Sequence, residues 1–325
     1  MPLQNNRTSS IVNFSSYVNQ LGIDSPLVLG TWSLGGSHFG AYDTRLANTV
    51  IQVAYERGIR QFDSASFYAK GQSQSILRKA LVNKPRDSYV LQLKVGLRWA
   101  GNQVLHDATR DHITRTVLDA LRFFNCDTID VFLLHWPDPD SDIRIACDAL
   151  SLLCAQQKIA FWGLCNIQQD HIPLLQGYDY SICHCHYNPL YHQTESLLKL
   201  MFQQGVVTLG YSPFEQGLLV NPDYSQSMIL SKRDIRNRNP FFADLAIKQV
   251  LQRLFKLDTA GFSYSQCIIQ WLLDKSFLDY IIFGARYLDQ LISCCDVLSF
   301  STHQKKSITQ SDFYCALSAS FKRKN

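Results

Sequence analysis

DVFLLHWPDPDSDIRIACDALSLLCAQQKIAFWGLCN, residues 130–166, decides the architecture. An apolar run from Asp130 to Trp136 gives way to an amphipathic stretch from Ile143 to Gln157, then to a second apolar run from Ala160 to Asn166. The first and last segments have strand length and composition, and the middle has helical period. Two strands joined through a helix pair in parallel by a right-handed crossover, because a tight turn cannot reach a parallel neighbour. The unit recurs outward in both directions. Strands are expected at Leu27 to Trp32, Arg60 to Ala65, Tyr89 to Gly96, Tyr180 to Tyr187, Val206 to Pro213 and Asp279 to Ala285. Helical stretches lie at Thr44 to Arg57, Ser73 to Val82, Arg110 to Phe124, Thr194 to Gln203, Ser263 to Lys275 and Leu288 to Leu298. Eight such strands over about 250 residues describe an α/β protein with a (β/α)8 TIM barrel in a single domain. A doubly wound open sheet is the alternative, and the lack of GxGxxG and GxxxxGK[ST] fingerprints in the sequence weighs against it.

The barrel is expected over residues 27–300, with an N-terminal extension at 1–26 and a C-terminal tail at 301–325. A long insertion follows the seventh strand, from Asn221 to Phe262, and contains the basic run SKRDIRNRNP. Its length suits a lid better than an idle connection.

Composition narrows the function classes. The chain has 325 residues, 46% of them hydrophobic and 18% charged, with a formal net charge of +4. The basic residues are scattered apart from Lys322 to Lys324, so nucleic acid is not an expected partner. No apolar run approaches the roughly 18 to 20 residues of a membrane span, and the N-terminus lacks a signal-peptide core. A cytoplasmic monomer or weak oligomer that avoids membranes is expected. The 10 cysteines form no CxxC pair and are read as reduced core residues.

Four polar residues stand at the ends of apolar runs or just beyond them: Asp63, Tyr68, Lys94 and His135. Buried ionisable groups are costly unless paired, so the four are expected to meet. In a TIM barrel the strand ends converge on one face, where active sites lie. An Asp and a Lys satisfy each other, and a lysine ammonium beside a phenol favours the phenolate and lowers its pKa. A tyrosine so tuned delivers a proton to a carbonyl oxygen, with His135 orienting that oxygen. Taken singly, an Asp–Lys pair is as readily a structural ion pair, and a histidine in an apolar strand a hydrogen-bonded core residue.

The segments FDSASFY (62–68), LKVG (93–96), LLHWPD (133–138), FWGLCN (161–166), YNPL (187–190), GYSPFEQGLL (210–219) and IIFGARYLDQL (281–291) resemble, in this order, the aldo-keto reductase superfamily. The flavour is that of the bacterial general-stress-type reductases and, more distantly, the potassium-channel β-subunits. The resemblance implies an NADP-dependent oxidoreductase that reduces an aldehyde or ketone, or runs the reverse, with Asp63, Tyr68, Lys94 and His135 as tetrad and Tyr68 as general acid. It implies NADPH as cofactor, with NAD possible, lying across the barrel mouth against Thr31, Trp32, Asn166, His184, Tyr211, Ser212, Pro213, Gly217, Leu218, Gly284, Arg286 and Gln290. The nicotinamide amide would meet Asn166, its ring would stack on Tyr211, and Arg286 with Gln290 would stand by the adenosine ribose and 2′-phosphate. Trp32, Trp99 and Trp136 are the expected substrate-pocket residues. Several positions depart from the family: Cys165 stands where a serine is usual, His184 where a glutamine binds the nicotinamide amide, and Gln74, Arg78, Leu93, Tyr287 and Cys294 also differ from the usual residues.

Two further functions share these features: a nicotinamide-nucleotide sensor with little turnover, and a dehydrogenase acting on a sugar or polyol. The run Cys183, His184, Cys185, His186 superficially resembles a metal site. Strand alternation sends the cysteines to one face and the histidines to the other, so no metal is expected there.

Overall fold

The alternation of β-branched runs with capped amphipathic helices builds a closed barrel. A computed structural model describes residues 13–36, 39–40, 42–226 and 230–321. The terminal lysine-rich run, residues 1–12 of the expected extension and residues 227–229 of the insertion lie outside them. In chain order the strands are β1 (Leu27–Gly30), β2 (Gln61–Asp63), β3 (Val90–Val95), β4 (Leu97–Ala100), β5 (Gln103–His106), β6 (Ile129–Leu134), β7 (Ile159–Cys165), β8 (Ile182–His186), β9 (Val207–Tyr211) and β10 (Tyr280–Phe283). The helices are α1 (Phe14–Gln20), α2 (Thr44–Glu56), α3 (Gln72–Leu81), α4 (Arg110–Phe124), α5 (Ile143–Ala155), α6 (Glu195–Gln203), α7 (Leu245–Leu254), α8 (Tyr264–Leu273), α9 (Leu288–Asp296), α10 (Thr302–Gln310) and α11 (Asp312–Ser320).

The barrel closes in the order β1-β10-β9-β8-β7-β6-β3-β2, parallel at every described pairing. All eight expected strands form, each within a few residues of its expected bounds. Helix starts are fixed by side chains that satisfy orphan backbone N–H groups. Asp43 accepts from the backbone N–H of Arg45 at 2.8 Å, and Asp142 from that of Arg144 at 2.9 Å. At Gly163 an added Cβ would sit 2.3 Å from the carbonyl oxygen of Ile182, so only glycine lets β7 and β8 approach as they do.

Alternate residues of each strand point inward. Val28, Val90, Val131, Leu133, Ile182, Val207, Leu209 and Ile282 fill the barrel, while a larger cluster packs between strands and helices. The end of the barrel away from the active-site face is closed by α1. Phe14 is buried against Phe161 at 5.3 Å between ring centroids, and the Tyr17 hydroxyl donates to Asp130 at 2.5 Å. Residues 13–26 are therefore a plug rather than a free extension, because their apolar face has a hydrophobic opening to cover.

Three segments outside the eight barrel strands take definite form. The stretch after residue 300 is not a tail: it forms α10 and α11, and the burial of Ile308, Phe313 and Leu317 anchors them. The segment after β3 folds back as the antiparallel hairpin β4–β5, with Leu97 opposite His106. The insertion contains three short 3-10 turns and α7, whose Ile247, Leu251 and Leu254 bury one face. No helix among the described residues is long and apolar enough to cross a membrane.

Candidate active site

Strand geometry carries the four polar residues to the C-terminal ends of the barrel. Asp63 ends β2, Lys94 lies near the end of β3, His135 follows β6, and Tyr68 opens the turn after β2. All four line one cavity of about 700 Å³. The Lys94 ammonium contacts both carboxylate oxygens of Asp63, at 2.5 Å to Oδ1, and donates to the Tyr68 hydroxyl at 3.2 Å. His135 packs edge-on to Tyr68, with ring centroids 5.6 Å apart.

Burial governs the charge states. It works against the Lys94 ammonium, yet the adjacent Asp63 carboxylate outweighs it and holds the lysine above its ordinary value. Burial raises the Asp63 carboxyl against the pull of Lys94. Tyr68 is also raised by burial, again against Lys94, so the expected lowering of its pKa is overturned. Lys94 acts in the expected direction, but desolvation of the phenolate is larger. The phenol stays protonated, the form in which it can donate. Burial and the nearby Lys94 charge drive His135 well below its ordinary value, leaving a neutral imidazole.

Most of the residues expected around a cofactor line the same cavity: Trp32, Asn166, His184, Tyr211, Ser212, Pro213, Gly217, Gly284, Arg286 and Gln290. Thr31 and Leu218 stand behind its wall. The Thr31 hydroxyl donates to the Asp63 carbonyl oxygen at 3.0 Å, and Leu218 is buried in the core. Of the expected pocket tryptophans, Trp32 and Trp136 reach the cavity and Trp99 does not. The Trp99 indole stacks on Phe67 at 4.9 Å and donates to the Phe67 carbonyl at 2.9 Å, which leaves Phe67 as the ring that lines the cavity.

Asn166 adopts φ +61°, which turns its side chain across the barrel mouth. It donates to the His135 carbonyl oxygen at 2.8 Å and accepts from the Tyr211 hydroxyl. Tyr211 is covered on one face by the near-parallel ring of His186, 5.4 Å away, and borders the cavity with the rest of its surface. His184 is fully buried in the cavity wall, and neither ring nitrogen has a hydrogen-bond partner among the described residues. Its Nδ1 lies 3.9 Å from an Asp63 oxygen, and burial keeps the ring neutral. Buried polar atoms left without partners are costly, so this wall is built to receive a polar ligand group.

At the other end Arg286 does not stand free for a phosphate. Its guanidinium donates to the Phe39 and Gly40 carbonyls, lies 4.6 Å from the Tyr42 ring centroid, and its backbone N–H is held by Gln290 at 2.9 Å. Arg236 of the insertion also lines the cavity, paired with Asp234 at 2.6 Å and bonded to the Tyr224 hydroxyl. The basic run thus contributes Ile235 and Arg236 to the wall. A flat aromatic surface, unpartnered imidazole nitrogens and two guanidiniums at the far end fit a nicotinamide nucleotide.

Sequence reading did not single out Phe39, Phe67, Gln216, Tyr224 and Arg236 as lining residues: Phe67 and Gln216 lie inside the FDSASFY and GYSPFEQGLL segments and Arg236 inside the basic run, but only the fold decides which side chains of those stretches face the cavity. It also missed the buried Glu215, which accepts from His186, Asn188 and Asn239. The metal-like run splits as alternation requires. Cys183 and Cys185 lie outside the barrel wall with their sulfurs 3.8 Å apart, while His184 points inward.

Comparison with known proteins places the barrel in a family. The chain is 28% identical over 297 residues to aldo-keto reductase YhdN of Bacillus subtilis, covering 87% of this chain and 88% of that protein. It is 29% identical over 292 residues to an NADH-specific methylglyoxal reductase of Escherichia coli, covering 82% and 87%. Among solved structures, a glycerol dehydrogenase of Gluconobacter oxydans superposes with a TM-score of 0.75 at 26% identity, covering 91% and 93%. The aldo/keto reductase family matches residues 26–312. The match spans the whole barrel that carries Asp63, Tyr68, Lys94 and His135, and this chain belongs to the aldo/keto reductase family of oxidoreductases.

Proposed function

We propose that the protein reduces an aldehyde or ketone to an alcohol, with Tyr68 as general acid and Asp63, Lys94 and His135 as its partners. The observation that carries this reading is the buried chain Asp63–Lys94–Tyr68 at the floor of the cavity, ending on a protonated phenol. A dihydronicotinamide held in the cavity would supply the hydride for the carbonyl carbon. Tyr68 then gives its proton to the oxygen that becomes negative. Lys94, 3.2 Å from the phenol oxygen, stabilises the phenolate left behind, and Asp63 fixes and neutralises Lys94. The neutral ring of His135 is placed to orient the carbonyl oxygen.

Tyr211 would serve as the platform for the nicotinamide, and Asn166 and His184 would hold its carboxamide. His184 is the freer of the two, because the Asn166 amide already bonds His135 and Tyr211. Ser212, Pro213 and Gly217 would run beside the pyrophosphate, while the positive charge of Arg286 and Arg236 at the far end, each already held by protein partners, favours NADPH through attraction of its 2′-phosphate. NADH remains the competitor, since the Escherichia coli relative is specific for it.

Oxidation of a polyol is the second reading, supported by the structural likeness to a glycerol dehydrogenase. The aromatic wall formed by Trp32, Phe67 and Trp136 supports a carbonyl substrate instead, because polyol hydroxyls would find few partners there. The test follows NADPH and NADH oxidation at 340 nm with simple aldehydes, and NADP+ reduction with glycerol. Turnover that Tyr68→Phe removes supports the reductase. Tight nucleotide binding without turnover by either protein would favour a sensing role.

A further inference from the structure

Behind the proposed nicotinamide platform stands a second ring system that the reaction itself does not use. His186, at the end of β8, lies between Tyr191 and Tyr211: its ring is 4.1 Å from Tyr191 at 11° and 5.4 Å from Tyr211 at 15°. Three rings lie nearly parallel, and the outermost faces the cavity. The imidazole is held in its plane by Glu215, 2.7 Å from Nε2. That carboxylate is 1% exposed and also accepts from Asn188 at 2.8 Å and from Asn239, in the insertion, at 2.7 Å. Asn188 in turn donates to the Ser212 carbonyl at 2.9 Å, in the loop leaving β9.

We infer that His186 is a positioning residue that, clamped by Glu215, sets the angle of the Tyr211 ring and so of the nicotinamide stacked on it. A lone tyrosine at the end of a strand can rotate about χ1 and χ2. Here one face of the ring is braced by a flat imidazole and its hydroxyl is tied to Asn166, so the remaining face is presented in one orientation. The brace is chemically specific. A carboxylate with three donors and almost no solvent is stable only while those donors stay in place, so Glu215 fixes His186, the turn at Asn188 and the insertion at Asn239 together.

The inference rests on the reading of Tyr211 as platform, so Tyr211→Leu is measured beside His186→Leu. NADPH is the probe, with its dissociation constant and the shift of its absorbance band near 340 nm on stacking as readouts. Stacked aromatic pairs contribute about 0.5 to 1.5 kcal/mol, so His186→Leu is expected to weaken NADPH roughly threefold to tenfold and diminish the band shift. The double variant His186→Phe/Glu215→Gln, which restores a flat ring without leaving a bare carboxylate, is expected to recover most of both. If Tyr211→Leu weakens NADPH while His186→Leu matches the wild type in affinity and band position, the positioning role is overturned. If Tyr211→Leu also matches the wild type, the platform reading falls, and the inference with it. Should His186→Leu fail to fold, Glu215→Gln, which keeps the shape but removes the charge, is held to the same criterion.

Discussion

The Lys94 ammonium sits 3.2 Å from the Tyr68 hydroxyl while gripping the Asp63 carboxylate, and none of the three is more than 9% exposed. Two opposed effects meet at that oxygen. Burial holds the proton on, and the ammonium stabilises the phenolate once the proton has gone. Tyr68 is thus protonated at rest and, in the proposed reaction, releases its proton when a carbonyl oxygen develops charge beside it. Removing only the hydroxyl tests this division. Tyr68→Phe is expected to lower kcat by about 10² to 10⁴ and leave the NADPH dissociation constant unchanged, as read by steady-state rates and nucleotide titration.

The ion pair beneath the tyrosine carries stability as well as chemistry. Asp63→Asn would strand the Lys94 charge in a site with 4% exposure. Breaking a buried pair in this way costs about 3 to 5 kcal/mol, measurable by urea unfolding. Asp63→Asn/Lys94→Met removes the stranded charge and is expected to regain part of that loss while staying inactive. Equal destabilisation of the single and double variants would show that packing, not charge, dominates the site.

His135 and His184 give the protein a pH-dependent stability of predictable sign. Both imidazoles are depressed well below their ordinary value by burial, so the folded chain does not protonate them in the mildly acidic range. The unfolded chain does so below about pH 6.5. It therefore binds more protons than the folded state, and stability present above pH 6.5 is lost as pH falls. The slope is about 1.4 kcal/mol per pH unit for each histidine. Unfolding curves between pH 7 and 5 are expected to show a falling midpoint, and His184→Gln to remove about half of the excess slope. An unchanged slope in that variant would mean that His184 accepts a proton without disturbing the fold.

The sequence made some of this legible and hid the rest for physical reasons. Barrel strands such as β6, with IDVFLL between polar turns, are visible because both faces are buried and every residue but Asp130 is apolar. The convergence of Asp63, Tyr68, Lys94 and His135 on one cavity could be read because polar residues at the ends of such runs are conspicuous. Trp99 was misplaced because its indole and the Phe67 ring compete for one surface, and only the hairpin β4–β5 decides which faces in. The Tyr68 pKa was misjudged in direction because a neighbour's charge can be guessed from sequence, whereas full desolvation cannot. Helix α10, THQKKSITQ, looks like a solvated tail since Ile308 alone is buried along it. The Glu215 clamp joins residues 186, 188, 215 and 239, whose separations in the chain form no motif.

Helix α1 offers the clearest separation of stability from activity. Its seven residues are too few to be helical in isolation, so docking must hold it in place. Phe14 is 1% exposed against Phe161 and Tyr280 at the end of the barrel opposite Tyr68. The Tyr17 hydroxyl meets the Asp130 carboxylate, which also accepts from the Leu91 backbone N–H at 2.8 Å and pairs with Arg86. Phe14→Ala leaves a cavity between the helix and the strand ends, with an expected cost of about 3 to 5 kcal/mol. Tyr17→Phe removes one hydrogen bond from a carboxylate that keeps its other donors, and about 1.5 to 3 kcal/mol is expected. Neither residue touches the cavity that holds the tetrad. Thermal unfolding should therefore shift downward in both variants while kcat and KM of the folded fraction stay at wild-type values, and a changed KM would show that the plug communicates with the active-site end of the barrel.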